Sequence, residues 1–95
     1  MTDAQRPRRP VWRVELSSAA ARDLDAIRRP MFDRIREAID ALADDPRPRS
    51  AAKLSGAEQL WRIRVGDYRI VYQVNGKQLL LLVVKVGNRR DIHRR

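Results

Sequence analysis

Cysteine is absent from this 95-residue chain, so disulfides and thiolate metal sites are excluded. A single histidine, His93, and carboxylates scattered along the chain give no ligand set for a structural metal. Long apolar runs are missing too. The longest, Leu79 to Val84, has the length of a strand and falls far short of the roughly 18 residues that span a bilayer. The basic N-terminus carries no apolar segment of the secretory kind. The expectation is a soluble, cytoplasmic protein with no membrane partner, no metal and no cofactor. Its length suffices for one domain with a modest core.

What the chain has in excess is positive charge, +9 in all, unevenly placed. Residues 1–10 carry a net +2, residues 11–17 zero, residues 18–45 a net −2 and residues 46–95 a net +9. The excess sits in a short leader and in the C-terminal half. Such asymmetry is the footprint of a nucleic-acid partner, the plain alternative being a solubilising surface.

Residues 1–10 hold three Arg and two Pro without periodicity and read as a flexible basic leader; residues 11–95 read as the single domain. Val11 to Ser17 alternates, with Trp12, Val14 and Leu16 opposite Arg13 and Glu15, as a strand does. Ser17 or Ser18 can cap a helix in which Ala20, Leu24 and Ile27 recur at helical spacing. That helix should stop near Arg29, because the residue before Pro30 is biased away from helix. Pro30 then suits the first position of a second helix, with Met31, Ile35, Ala38, Ile39 and Leu42 as its apolar stripe and Asp44-Asp45-Pro46 as its end.

Pro46 to Gln59 is expected to be loop. Trp61–Val65 and Tyr68–Val74 alternate about Gly66-Asp67, a two-residue turn with glycine first that suits a tight hairpin. Asn75-Gly76 signals a second hairpin, returning through Lys77–Val86. Leu79 to Val84, apolar on both faces, suits an interior strand covered on both sides, although a bulge would flip its side chains. The expected class is α+β in the order β-α-α-β-β-β, a helical hairpin packed on one face of a small, mainly antiparallel sheet.

The hairpin has a chemical consequence. With Gly66 and Asp67 as the turn, Val65 lies opposite Tyr68 and Arg64 opposite Arg69, and like charges facing each other are destabilising. Folding alone supplies no reason for the pair; a polyanion between them does. Arg62, Arg64 and Arg69 are permanently charged, planar donors suited to phosphate, and they can stabilise charge developing on it, but they make poor bases. His93, among Arg89, Arg90, Arg94 and Arg95, titrates in the range a proton carrier needs; its plain alternative is a solvated tail residue. Lys53 and Lys85 are candidate peripheral phosphate contacts. Tyr68, Tyr72, Trp61 and Trp12 share faces with apolar residues and read as core.

The segment KLSGAEQLWRIRVGDYRIVYQV, followed by a strand and VGNRRDIHRR, resembles the RelE/ParE toxin superfamily, specifically its RelE-like branch. The resemblance runs from about Val11 to Arg95, and the combination of WRIRVGDYR with VGNRRDIHR is specific to it. It implies a toxin of a type II toxin–antitoxin pair. RelE-like members are endoribonucleases that cut mRNA in the ribosomal A site without a metal, and a cognate antitoxin wraps and blocks them. The resemblance implies catalytic roles for Arg62, Arg64, Arg69, Arg89 and His93; Lys53, Lys85, Arg90 and Arg94 are the expected RNA contacts around them. His93 stands where many members have a tyrosine, and Arg62 and Arg64 stand where some have lysine. The alternatives within the superfamily are a ParE-like, non-catalytic inhibitor of DNA gyrase and an inactive antitoxin-binding module.

Overall fold

The computed structural model describes residues 12–54 and 59–88. The leader and the residues Arg89, Arg90, His93 and Arg94 lie outside them. The elements are β1 (Arg13–Leu16), α1 (Ser18–Asp25), α2 (Met31–Leu42), β2 (Ala52–Lys53), β3 (Leu60–Val65), β4 (Tyr68–Asn75) and β5 (Leu80–Asn88). They form one five-stranded sheet in the order β1-β5-β4-β3-β2. The β1–β5 pair is parallel and the rest are antiparallel. No helix among the described residues is long and apolar enough to cross a membrane.

Ser17 fixes the entry to α1. Its Oγ accepts from the Ala20 N–H at 3.0 Å, its hydroxyl donates to the Val84 carbonyl at 3.0 Å, and its own N–H donates to the Val83 carbonyl at 2.8 Å. One serine therefore caps the helix and ties it to β5. The helix ends one turn before Pro30. The Ala26 and Ile27 N–H groups bond the Asp23 and Leu24 carbonyls three residues back, and this tightening closes the helix at Asp25. Pro30 sits just outside α2, at its N-cap, with the Arg34 N–H donating to its carbonyl at 3.2 Å.

The core lies between the helices and one face of the sheet. Ala20 and Leu24 from α1 and Ile35, Ile39 and Leu42 from α2 meet Ile63, Ile70, Tyr72, Val74, Leu81, Val83 and Val86. The two-residue turn is as the alternation requires: Gly66 has φ +61°, and Val65 pairs with Tyr68 and Arg64 with Arg69.

The second hairpin differs from expectation. Asn75 pairs with Leu80, so four residues turn the chain rather than two. Asn75 holds the loop with its own side chain, Oδ1 accepting from the Gln78 N–H at 3.1 Å, and Leu79 takes φ +51°. The last strand therefore begins at Leu80 and continues to Asn88. Its register breaks once: Val71 pairs with Lys85 but Tyr72 with Val83, leaving Val84 as the extra residue of a bulge. The bulge lets Leu81, Val83 and Val86 all enter the core. The strand is interior, but covered on one side only. Leu80, Leu82 and Val84 are half-exposed, because both helices pack on the opposite face of the sheet.

Candidate nucleic-acid interface

The face of the sheet away from the helices carries the arginines. On β3, Ile63 points into the core, so its neighbours Arg62 and Arg64 point outward. On β4, Ile70 is fully buried and Arg69 points outward. Arg64 is exposed, whereas Arg62 and Arg69 are half-buried. Arg62 lies opposite Val71, and Arg64 directly opposite Arg69. On its other side, Arg69 is paired with Gly87 of β5.

Arg62 and Arg64 make no ion pair with any described residue. The acidic side chain nearest in register on this face, Glu15 of β1, lies opposite Leu82 and is held by Arg13 at 3.2 Å. The result is a cationic ledge on a rigid sheet, suited to bidentate grip of phosphate oxygens. It can stabilise negative charge, but it holds no base.

The two lysines expected beside this ledge are placed otherwise. Lys53 of β2 pairs with Trp61, which puts it on the helix-side face, away from Arg62 and Arg64. The segment expected to be loop contains this short strand, and its register decides the face. Lys85 pairs with Val71 and so belongs to the arginine side, but its Nζ lies 3.4 Å from Oδ2 of Asp23. That carboxylate also accepts the Val86 N–H at 3.0 Å. β1 ends at Leu16, opposite Val83, so the backbone of β5 beyond it needs another partner, and α1 supplies it through Asp23.

Two contacts that alternation does not reveal shape the surroundings. The Arg47 guanidinium stacks over the Trp61 ring, 5.8 Å from its centroid. Tyr72, fully buried, donates its hydroxyl to the Pro46 carbonyl at 2.7 Å and so clamps the loop after α2 against the sheet. Burial, and then the charge of Asp45, push the Tyr72 phenol up from the ordinary 10.0 to about 12, with Arg47 acting in the opposite sense. Such a phenol is a structural strut and no proton carrier near neutral pH.

With this geometry in hand, comparison with known proteins is informative. Residues 14–93 match the family described as the ParE toxin of type II toxin–antitoxin systems, parDE. The archaeal RelE–RelB complex from Pyrococcus horikoshii contains a chain 31% identical to this one; the match covers 82% of this chain and 94% of that one, with a TM-score of 0.73. The RelB–RelE complex from Methanococcus jannaschii gives 25% identity over 82% and 93% of the two chains, with a TM-score of 0.69. The isolated E. coli RelE toxin, at 18% identity, shares the fold over 88% of this chain and 98% of its own, with a TM-score of 0.74.

Proposed function

The chain belongs to the ParE toxin family of type II toxin–antitoxin systems and is a RelE-like toxin, and we propose that it is a ribosome-dependent endoribonuclease that cuts mRNA in the A site and so stops translation. The observation that carries this reading is the opposed pair Arg64 and Arg69 on the outward face of the sheet. A surface built only to hold a protein does not require two guanidiniums face to face, whereas a phosphate between them turns their repulsion into shared attraction.

In the proposed reaction the 2′-hydroxyl attacks the adjacent phosphorus. The new O2′–P bond forms, the P–O5′ bond breaks, and a cyclic phosphate remains on one product. One proton leaves the 2′-oxygen and one reaches the departing 5′-oxygen. Arg64 and Arg69 stabilise the charge on the phosphorane, and Arg62 holds the neighbouring phosphate. His93 carries the proton, and Arg89 is a further source of positive charge. Arg90 and Arg94 extend the RNA contact. The chemistry needs no metal, because guanidiniums supply the positive charge. The activity is cytoplasmic, where its substrate is, and a cognate antitoxin holds it in check, as the relatives crystallised with RelB suggest.

Primer extension on a defined mRNA in a reconstituted translation system tests this. Ribosome-dependent cuts are expected from the unmodified chain, and Arg69→Ala should reduce the rate about 10²–10³-fold, the usual cost of one preorganised charge stabiliser. His93→Ala should abolish cleavage while leaving antitoxin binding intact. Uncut mRNA at micromolar concentrations of folded protein would overturn the reading and direct attention to a gyrase supercoiling assay.

A further inference from the structure

The outward face of the sheet changes character along β4. Tyr72 and Val74 are buried against the helices, so Gln73 between them points to the arginine side. Its cross-strand neighbours on that face are Leu60 of β3 and Leu82 of β5, both half-buried. Val71, two residues back on β4, lies opposite Arg62. Gln73 is therefore a carboxamide set in an apolar floor of Leu60, Val71 and Leu82. At the rise of a strand it lies about 7 Å from the row that holds Arg62 and about 14 Å from Arg69.

A half-buried carboxamide ordinarily finds a partner. Asn75 does, its Oδ1 accepting from the Gln78 N–H. The Gln73 side chain makes no hydrogen bond to any described residue. Packing does not call for it either, since a strand position flanked by two leucines suits a β-branched or aromatic side chain better. Beside it opens a cleft of about 320 Å³, whose polar lining includes Gln59, Gln73 and Lys77 and no acidic side chain. That volume is in the range of small-ligand sites.

Apolar floor, free carboxamide and cationic surroundings together fit a flat ring that has a hydrogen-bonding edge and is tethered to phosphates. A nucleobase has that form. The floor packs against the ring face, and a purine covers more of it than a pyrimidine does. Between the purines, adenine offers an acceptor and a donor side by side, N7 and N6–H2, which complement the amide N–H2 and C=O of glutamine. Guanine offers two acceptors there, N7 and O6. We propose that Gln73 is a specificity-determining residue, which selects an adenine next to the phosphate held by Arg62, while Lys77 meets the backbone beyond. The inference deepens the nuclease reading and rests on it for the presence of RNA on this face.

The test is binding without cleavage. Labelled 2′-O-methyl oligouridylates are titrated into the whole chain by fluorescence anisotropy. One is uridine throughout, and three carry a single central adenosine, guanosine or 7-deazaadenosine. The adenosine oligomer should bind at least about fivefold tighter than the uridine one, the low end for a bidentate base contact. 7-Deazaadenosine keeps the ring face but lacks the N7 acceptor, so it should lose most of that gain, and guanosine should gain less than adenosine. Gln73→Leu keeps the floor apolar and should erase the preference for adenosine over 7-deazaadenosine. The slope of log K against log salt should not move, because no phosphate contact is removed. Equal affinity for the adenosine and uridine oligomers would overturn the inference. A preference that 7-deazaadenosine or the Gln73→Leu variant retains in full would overturn it equally. Base-blind binding beside ribosome-dependent cuts would sink this inference and leave the nuclease reading standing; an adenine preference without cuts would do the reverse.

Discussion

Arg64 carries opposite signs in stability and in function. It faces Arg69 across the hairpin, and a like-charge pair directly opposite in an antiparallel sheet is unfavourable. Arg64→Gln keeps a polar, extended side chain and removes the repulsion. The variant should be as stable as the parent or more stable, by about 0.2–1 kcal/mol in urea unfolding, on the scale of cross-strand pairs. Its cleavage rate should fall by about 10²-fold or more if the guanidinium stabilises the phosphorane. A loss of stability together with activity would make Arg64 a structural residue instead. Tyr72 behaves in the contrary way, as a residue whose chemistry serves the fold. Its folded-state pKa of about 12 lies above the ordinary 10.0, so the folded state holds the phenolic proton more tightly than the unfolded chain does. The stability this contributes is complete below pH 10 and is lost as pH climbs from about 10 to about 12. Tyr72→Phe leaves the Pro46 carbonyl without its hydroxyl partner and should cost about 1 kcal/mol at neutral pH, while flattening that alkaline decline. Unfolding curves collected from pH 8 to 12 on both proteins would check the sign.

At the scale of elements, what was legible in the sequence was what local pattern controls. Trp61 to Val74 alternates around a glycine turn, so its register, its buried face and the outward placing of Arg62, Arg64 and Arg69 could all be read without a structure. The features that escaped reading depend on distant partners. Lys53 falls on the helix-side face because of a strand too short to show any alternation. Val84 is extruded because burying both Val83 and Val86 against the helices outweighs a regular ladder. Lys85 is drawn to a carboxylate on α1, a pairing between residues 62 positions apart. Arg89 and His93, which the family resemblance singled out, lie outside the described residues. The α1–β5 joint is the element most open to a single test. Asp23→Ala removes the acceptor of the Val86 N–H in a strand that β1 no longer covers, and Val86 is almost fully buried. Leaving that donor unsatisfied should cost about 1–3 kcal/mol, seen as a lower urea midpoint with unchanged slope. The same change releases Lys85 toward the arginine face, so RNA binding should hold or rise while stability falls.

For the molecule as a whole, a net charge of +9 attracts any polyanion, and affinity alone cannot separate a built interface from diffuse attraction. Salt dependence can. Each phosphate neutralised on a single strand releases condensed counterions and steepens the fall of log K against log salt by about 0.7. Arg62 lies on the outward face of β3, whereas Lys53 lies on the opposite face, beside Trp61. Both substitutions to alanine remove one unit of charge, so their effect through net charge is the same. Only loss of a direct phosphate contact distinguishes them. With a 2′-O-methyl RNA, which binds without being cut, Arg62→Ala should reduce the slope by about 0.7, and Lys53→Ala should leave it close to the parent's. Equal slopes for the two variants would mean that the arginine ledge is one part of a uniformly cationic surface, and the proposed interface would then lose its physical basis. A difference confined to Arg62→Ala would tie the charge asymmetry of the sequence to one face of the sheet, because total charge is held constant in the comparison.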